Sequence, residues 1–387
     1  MPSKETQKIS NVTILTEDGF VPEAVLLIED GRIAYLGEDQ GQACAQVFDG
    51  RGAMLVPGFL DLHVHGGAGW DFMDKSVEAV QAICRFHAAH GTTGLLATTM
   101  TAPMEETVEV IRFYNHLPDT GGAAVLGLHL EGPFINKAFK GAQKEEWIEP
   151  AHIENVQRIL ETAKPGWIKQ ITLAPELVED DRVFDLLRER GVIIAAGHTA
   201  LDYQGGLCCL QKGVSHATHL GNAMKGFHHR DPGIIGLVME RPELTFDLIA
   251  DGIHVAPAFI RLLTRICSPE QIMLITDAMR AAGLQDGVYE LGGQEVTVKG
   301  NEARLAGGVL AGSLLTLDAA LANLMRFAGM PLEQAIRHVT LNQAEKLGIA
   351  DRKGSIAPGK DADLVLLSDD LRVLATWVEG RLVYQAR

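Results

Sequence analysis

The stretch PGFLDLHVHGG, residues 57–67, combines an apolar run typical of a buried strand with two histidines at its end. Side chains two residues apart on a strand point to the same face, so His63 and His65 would project together from the end of this strand. Imidazole nitrogens are common ligands of first-row transition metals. The stretch therefore predicts a strand that ends at a metal site.

Seven further apolar runs follow, and helical patterns separate them, which is the order expected of βα units around a parallel sheet. Eight strands are the number that a closed barrel requires, so we predict an α/β fold with a (β/α)8 TIM barrel over residues 57–354. The predicted strands are residues 59–65, 93–99, 124–131, 168–176, 192–198, 215–220, 245–254 and 272–278. The predicted helices include residues 76–91, 104–117, 181–191 and 257–267.

Both ends of the chain have a different texture, with short strand-like runs separated by turns such as the Asp-Gly pairs at 18, 30 and 49. We expect residues 1–56 and 355–387 to form one small β-sandwich domain beside the barrel. A Gly-rich, strand-like insertion spans residues 287–312, and further helices are predicted from about 314 to 347.

The composition favours a soluble enzyme of the cytoplasm. Lys and Arg number 34 against 50 Asp and Glu, which argues against nucleic acid or an anionic membrane as a partner. No apolar run reaches the roughly 18–20 residues that span a bilayer, and the polar N-terminus lacks the apolar core of a signal peptide. Five cysteines without CxxC spacing predict reduced thiols.

Polar residues stand at the ends of six predicted barrel strands, where they would share one cavity. A lone histidine is more often a core or surface residue, but so many at strand ends predict a metal site. Four imidazoles and two carboxylates exceed the roughly three protein ligands of one catalytic zinc and suffice for two metals with a bridging carboxylate. Nitrogen and oxygen donors suit Zn²⁺ or Fe²⁺, with Mn²⁺ or Co²⁺ as alternatives. These six donors are His63, His65, Glu131, His198, His219 and Asp277, and His254 is a further histidine at a strand end.

Several motifs carry a resemblance over nearly the whole chain. They are PGFLDLHVHG (57–66), LEGPF (130–134) with KGAQ (140–143), AGHT (196–199), ATHLGNAM (217–224) with HHRDPG (228–233), ADGIHV (250–255), TDAM (276–279), LAGS (310–313) and PGKDADLV (358–365). In these motifs the chain resembles the amidohydrolase superfamily, and within it the N-acetylglucosamine-6-phosphate deacetylase family. The resemblance implies hydrolysis of the N-acetyl group of N-acetyl-D-glucosamine 6-phosphate to D-glucosamine 6-phosphate and acetate.

The resemblance also assigns roles. It implies that Glu131, His198 and His219 hold the principal metal. A second metal would be held by His63 and His65 together with Glu131. Asp277, close to both metals, would be the catalytic acid and base that takes a proton from the attacking water and returns it to the leaving nitrogen. The residues implied to contact the substrate are Ala142, Gln143, Asn222, Ala223, Arg230, His254, Leu310, Ala311 and Gly312.

Two positions depart from parts of the family. Some members lack the HxH pair and use one metal, so its presence here favours two. Some have histidine at position 143, where it polarises the substrate carbonyl, whereas Gln143 cannot carry charge. Our hypothesis is that the second metal takes over this polarisation.

Arg230 lies in the loop KGFHHRDPG, and a guanidinium suits bidentate binding of phosphate. The neighbouring His228 and His229 could add positive charge. The family tends to be dimeric, so we expect a homodimer in which this loop reaches the partner's site.

Three alternatives remain open at this stage. The substrate could be the epimer N-acetylgalactosamine 6-phosphate. A cyclic-amide hydrolase such as a dihydroorotase or hydantoinase usually bridges its metals with a carboxylated lysine, and Glu131 argues against it. A non-catalytic barrel that only binds ligands predicts gaps in the ligand set, and the sequence contains none.

Overall fold

The computed structural model describes residues 6–41 and 43–386. In chain order the strands are β1 (Thr6–Thr16), β2 (Gly19–Glu29), β3 (Arg32–Gly37), β4 (Gln46–Asp49), β5 (Met54–Pro57), β6 (Phe59–Val64), β7 (Gly66–Gly67), β8 (Trp70–Asp71), β9 (Thr92–Thr99), β10 (Ala124–Glu131), β11 (Ile168–Leu173), β12 (Ile193–Ala196), β13 (Val214–Ala217), β14 (Thr245–Leu248), β15 (Ile272–Leu274), β16 (Gly287–Leu291), β17 (Gln294–Lys299), β18 (Glu302–Leu305), β19 (Leu364–Leu367), β20 (Val373–Val378) and β21 (Arg381–Gln385). The helices are α1 (Val77–Ala89), α2 (Met104–Tyr114), α3 (Ile153–Thr162), α4 (Arg182–Glu189), α5 (Tyr203–Gln211), α6 (Gly233–Glu240), α7 (Pro257–Ile266), α8 (Leu317–Ala328), α9 (Leu332–Ala335) and α10 (Leu341–Lys346).

The centre of the fold is a parallel sheet of eight strands that follow one another in chain order, namely β6, β9, β10, β11, β12, β13, β14 and β15. A helix connects each strand to the next, from α1 to α7. Each of the eight predicted apolar runs overlaps one of these strands. Runs buried on both faces are typical of parallel sheets flanked by helices. The predicted TIM barrel is confirmed.

The first and eighth strands meet at the seam that closes the barrel. The Asp277 N–H donates to the His63 carbonyl at 2.8 Å, just beyond the end of β15. Deeper in the barrel, the Thr276 hydroxyl donates to the buried Asp61 carboxylate at 2.6 Å. Burial raises the pKa of Asp61 to about 7, although the Thr276 hydroxyl opposes this shift. The seam therefore links the segment that carries the HxH pair to the segment that carries Asp277.

Several barrel strands end earlier than the sequence predicts. The strands β12, β13 and β15 stop at Ala196, Ala217 and Leu274. The prediction that His198, His219, His254 and Asp277 lie within strands is wrong, since they occupy the loops that follow. The backbone explains this for three of them, because φ is 48° at His198, 33° at His219 and 51° at Asp277, and a left-handed residue interrupts the extended backbone of a regular strand.

The two ends of the chain together form a second, mixed sheet in the order β21-β20-β19-β5-β1-β2-β3, with β4 paired to β1. Its side chains form an apolar cluster separate from the barrel core, which includes Ile14, Leu26, Leu364 and Trp377. Residues 1–5, 42 and 387 of the predicted small domain lie outside the described residues. The domain boundaries at 56 and 355 stay a prediction. Because β5 leads directly into β6, this sheet anchors the start of the strand that carries the HxH pair.

The insertion after the eighth barrel strand folds as a three-stranded antiparallel sheet made of β16, β17 and β18. Its buried side chains Leu291, Val296 and Val298 pack with Met100 and Met279, which follow the second and eighth barrel strands. The insertion sheet therefore lies over the C-terminal face of the barrel, where the predicted site residues are.

Two further expectations concern the cysteines and membranes. In the part of the chain that the structure describes, no disulfide links the five cysteines, and burial raises the pKa of Cys84 to about 12. Within residues 6–41 and 43–386, no helix has the length and apolar character needed to cross a bilayer.

Replacing Asp61 with alanine is expected to weaken the barrel seam. The Thr276 hydroxyl would lose its buried acceptor, and a buried polar group left unpaired costs about 1–3 kcal/mol. We expect a lower urea midpoint of unfolding and a free energy of unfolding reduced by about 2–4 kcal/mol, since the backbone N–H groups of His63 and Thr276 also lose an acceptor. Thr276→Val, which removes the donor and leaves the carboxylate, should cost less. An unchanged midpoint for Asp61→Ala would contradict this role.

Candidate metal centre and active site

Two groups of buried nitrogen and oxygen donors converge at the C-terminal end of the barrel, and the donor atoms within each group lie within 4.8 Å of one another. The groups are His63, His65 and Asp277, and Glu131, His198 and His219. The structure therefore brings together all six residues that the sequence analysis proposes as metal ligands. Whether each of them binds metal stays a prediction.

Glu131 lies between the two groups. Its Oε1 is 3.0 Å from Nε2 of both His198 and His219. Its Oε2 is 3.4 Å from Nε2 of His65, and Oε1 is also 3.5 Å from Nε2 of His63. One carboxylate thus faces both groups, which is the arrangement expected of a ligand that bridges two metals.

Asp277 belongs to the group of the HxH pair. Its Oδ1 lies 3.2 Å from Nε2 of His65 and 3.6 Å from Nε2 of His63. The same side chain also lines the cavity above the donors. Asp277 can therefore contact both a metal and a bound molecule.

The donor spacing fits metal ions. Two pairs of imidazole nitrogens, Nε2 of His63 with Nε2 of His65 and Nε2 of His198 with Nε2 of His219, each lie 3.2 Å apart. A tetrahedral metal with bonds of about 2.0–2.1 Å separates its ligand atoms by roughly 3.3 Å. Together with the absence of sulfur from both groups, the spacing suits Zn²⁺ or a related first-row ion.

The orientation of His198 is fixed from outside the cluster. Its Nδ1–H donates to the Phe139 carbonyl at 2.9 Å, which directs the Nε2 lone pair towards Glu131. A second hydrogen-bonded ring nitrogen of this kind is typical of histidines that bind metals.

Three of the six residues have strained backbones. His198, His219 and Asp277 adopt left-handed conformations, which cost about 1–3 kcal/mol each for residues other than glycine. Hydrogen bonds hold two of these turns, because the Ser313 N–H donates to the Asp277 carbonyl at 2.7 Å and the Asn222 N–H donates to the His219 carbonyl at 2.9 Å. Strain of this kind is concentrated at functional sites.

Two glycines directly follow candidate ligands for steric reasons. A Cβ on Gly66 would lie 2.2 Å from the Trp70 carbonyl oxygen, and one on Gly132 would lie 2.2 Å from the Thr101 hydroxyl. Gly132 also has a φ of +82°. The sequences HGG and EGP therefore allow the close chain packing that surrounds the donors.

Beneath the donors lies a layer of buried polar side chains that the sequence analysis missed. His129 Nε2 lies 2.7 Å from the Thr172 hydroxyl, and His216 Nε2 lies 2.9 Å from Asp247 Oδ1. The other oxygen of Asp247 is 4.0 Å from Nδ1 of His63. His129 precedes Glu131 by two residues on β10, and this spacing is the signal that could have identified it as an interior residue.

The surrounding charges shift the pKa values of the cluster. Burial favours a raised pKa for Glu131, but the imidazoles, foremost His63 and His198, hold it well below its usual range. Burial lowers the pKa of His63 well below its ordinary value. Although burial opposes it, hydrogen bonds to Asp277 and Glu131 raise the pKa of His65 well above its ordinary value. The cluster therefore keeps Glu131 ionised, which is the form that binds a metal.

A cavity of about 340 Å³ opens above the donors. This volume falls within the roughly 300–1,000 Å³ of small-molecule sites. Two residues predicted to contact a substrate do not line the cavity. Ala311 is fully buried, and Arg230 is exposed in a loop outside the cavity. The predicted substrate residues that do line it are Ala142, Gln143, Asn222, Ala223, His254, Leu310 and Gly312.

The cavity has an arginine that the sequence analysis missed. Arg304, on β18, lines the cavity, donates to the Gly308 carbonyl at 2.6 Å and lies 2.7 Å from Glu302. Nothing in the local sequence distinguishes it from an ordinary hairpin arginine. Arg230 instead contacts its neighbour His229, with 3.0 Å between Nη1 and Nε2. The role of Arg230 stays a prediction.

Gln143 contacts the carboxylate of Glu131. Its Oε1 accepts from the Thr101 N–H at 2.8 Å, which fixes the orientation of the amide. Its Nε2 therefore points towards Glu131 and donates to Oε2. In this arrangement the amide orients a candidate metal ligand.

The chain is similar to known proteins over nearly its whole length. The model of the amidohydrolase family matches residues 54–383. The chain is 37% identical to an N-acetylglucosamine-6-phosphate deacetylase of Bacillus subtilis (strain 168), with 98% of each chain covered. It is 35% identical to an N-acetylgalactosamine-6-phosphate deacetylase of Escherichia coli O157:H7, with 95% of this chain and 97% of the relative covered.

A solved structure supports the same relationship. The fold is similar to that of an N-acetyl-D-glucosamine-6-phosphate deacetylase mutant from Mycobacterium smegmatis, solved in complex with N-acetyl-D-glucosamine-6-phosphate, with a TM-score of 0.90 and 31% identity. The match covers 99% of this chain and 100% of that one. The similarity therefore extends to the terminal sheet as well as the barrel.

The metal-free chain is expected to bind two divalent ions, because each donor group supplies three ligands. His63→Ala should reduce the stoichiometry to one ion, and Glu131→Gln should weaken both sites because it removes the shared carboxylate. Equilibrium dialysis against Zn²⁺ or Co²⁺, followed by elemental analysis, would measure this. The exposed variant His229→Ala is the control and should keep two ions. Two tightly bound ions in His63→Ala would contradict the assignment.

Proposed function

This chain belongs to the amidohydrolase family and, within it, to the N-acetylglucosamine-6-phosphate deacetylases, and we propose that it hydrolyses N-acetyl-D-glucosamine 6-phosphate to D-glucosamine 6-phosphate and acetate. One observation carries the proposal. The carboxylate of Glu131 contacts both donor groups directly beneath a cavity of small-molecule size. This arrangement suits metal-assisted hydrolysis of an amide.

We propose two divalent metals per chain as cofactors, either Zn²⁺ or Fe²⁺, with Mn²⁺ or Co²⁺ also compatible with the donors. When bound, such ions act as Lewis acids towards a carbonyl oxygen and lower the pKa of a water molecule to about 7. Glu131, His198 and His219 would hold the principal metal. His63 and His65 would hold the second, with Glu131 shared and Asp277 close by.

Asp277 is the proposed proton carrier. Amide hydrolysis requires that a proton leaves the attacking water and reaches the departing nitrogen, and one carboxylate can do both in turn. The position of Asp277 supports this role, because it lies 3.2 Å from His65 and also lines the cavity. Its backbone hydrogen bonds to His63 and Ser313 hold the side chain at one place between donors and substrate.

The sugar is proposed to bind beside the loops that follow β13 and β14. Asn222 donates from Nδ2 to the His219 carbonyl at 3.2 Å, so its Oδ1 can accept from a sugar hydroxyl. His254 Nδ1 lies 2.6 Å from the Asp251 carboxylate, so Nε2 is the ring nitrogen that can contact the substrate. Both residues line the cavity.

We further propose that Arg230 binds the phosphate and that the enzyme is a homodimer in the cytoplasm. An exposed loop outside the chain's own cavity carries the positively charged Arg230 together with His228 and His229. The neighbouring Phe227 is 55% exposed. An exposed aromatic side chain beside charged groups is typical of a protein interface. A partner subunit would bring this loop to a second cavity.

Three other functions are less well supported. The epimer N-acetylgalactosamine 6-phosphate is the second candidate substrate, and the E. coli relative of that name favours it. A cyclic-amide hydrolase would need a lysine at the position of Glu131. A non-catalytic binding protein would not require all six donors, which are present.

Acetate release tests the proposed function most directly. The metal-loaded enzyme should release acetate from N-acetylglucosamine 6-phosphate with a higher kcat/KM than from the galactosamine epimer. Asp277→Asn should lose roughly 10²–10⁴-fold in kcat because the amide cannot carry the proton, and it should retain its metal. No acetate from either sugar would refute a deacetylase, and full activity in Asp277→Asn would refute its role.

Two arginine variants test how phosphate binds. Arg230→Ala should raise KM at least tenfold for N-acetylglucosamine 6-phosphate and change it little for unphosphorylated N-acetylglucosamine, because only the phosphate pairs with the guanidinium. Arg304→Ala is the matched variant, since Arg304 lines the cavity of its own chain. If Arg304→Ala alone shows the phosphate-dependent loss, Arg304 holds the phosphate and the assignment of Arg230 is wrong.

A further inference from the structure

We propose that Met100 and Leu291 form an apolar wall that limits the length of the N-acyl group which the enzyme can remove. The inference rests on the proposed deacetylase function and identifies the part of the substrate that faces this side of the cavity. Both side chains line the cavity and are buried, with exposed fractions of 4% for Met100 and 2% for Leu291.

The barrel places this wall opposite the proposed sugar site. Met100 follows β9, the second of the eight barrel strands, whereas Asn222 follows β13, the sixth. In a closed barrel of eight, the second and sixth strands lie across the axis from each other. The metal donors lie between them, so the cavity has a polar end and an apolar end with the reacting centre in the middle.

The wall is close to the proposed chemistry. Met100 Sδ lies 3.8 Å from Nε2 of Gln143, and the same amide donates to Glu131. A carbonyl carbon that reaches the metal donors has the amino sugar on one side and the acyl chain on the other. With the sugar towards Asn222, the acyl chain points towards Met100.

The chemistry of the wall favours an alkyl group. A sugar hydroxyl against Met100 and Leu291 would lose hydrogen bonds to water without a strong acceptor in return, which is costly in a buried site. A methyl group placed there gains from the burial of apolar surface. The acetyl methyl is the only alkyl group at the reacting end of the proposed substrate.

The insertion sheet holds the wall in place. Leu291 is the last residue of β16, and a Cβ built on the next residue, Gly292, would lie 3.1 Å from Cε of Met100. Gln294 Nε2 donates to the Ala142 carbonyl at 2.6 Å, which ties the turn to the loop after β10. Leu291 and Met100 also share one buried cluster with the rest of this sheet. The wall therefore has little room to move away from a longer chain.

An acyl series tests the inference. The metal-loaded enzyme, Met100→Ala and Leu291→Ala would be assayed with the N-acetyl, N-propionyl and N-butyryl forms of glucosamine 6-phosphate. Wild type should lose roughly tenfold or more in kcat/KM per added methylene, because the wall is closed. Each alanine variant should raise the butyryl-to-acetyl ratio of kcat/KM at least tenfold. Met100→Leu is the control and should keep the ratio near that of wild type.

The outcomes separate the inference from the function. If wild type releases no acetate, the proposed function fails and the inference fails with it. If wild type is an active deacetylase but both alanine variants keep its butyryl-to-acetyl ratio, the wall does not face the acyl group and the inference alone is overturned. Using two variants from different elements guards against the case in which one does not fold, which circular dichroism would reveal.

Discussion

The buried carboxylate of Glu131 is the group on which the rest of the site depends. A carboxylate that is only 3% exposed pays a desolvation penalty of several kcal/mol unless positive charge surrounds it. Four imidazoles from three segments of the chain approach its two oxygens, and Gln143 donates to one of them. Bound cations would offset the remaining penalty, and so the stability of this region and the capacity to bind metal have the same physical origin.

The barrel makes this arrangement possible. Parallel strands bring residues that are distant in the sequence to one end of the sheet, and the seam fixes Asp277 against the strand that carries His63 and His65. Left-handed turns after β12, β13 and β15 then direct single side chains inwards. The strain of these turns is supported by the surrounding hydrogen bonds. The insertion sheet completes the cavity from above and contributes Leu291 and Arg304.

Much of this could be predicted from the sequence, and the rest could not for identifiable reasons. Apolar runs alternating with helical patterns were sufficient for the barrel, because buried parallel strands need uniform apolar sequences. The six donors followed from their position at the ends of those runs. Several predicted strands extend beyond the residue at which the observed strand ends, because periodicity does not reveal a left-handed residue such as His198.

Other residues needed the three-dimensional structure. His129 and Asp247 lie inside runs that otherwise look apolar, so their positions next to His63 are visible only when the strands of the barrel are side by side. Arg304, on β18 of the insertion sheet, and Met100, in the loop after β9, reach the cavity only through tertiary packing. Arg230 is the opposite case, because its motif was clear while the fold of one chain leaves it outside the cavity.

The central claim is that one carboxylate bridges two metals, and electron paramagnetic resonance of the Mn²⁺-loaded enzyme tests it most directly. Two Mn²⁺ ions bridged by Glu131 at about 3.5–4 Å would be magnetically coupled. We expect wild type to give the spectrum of a coupled Mn²⁺ pair and His63→Ala to give the six-line spectrum of an isolated Mn²⁺ ion. An isolated-ion spectrum in wild type with both sites filled would contradict the bridge.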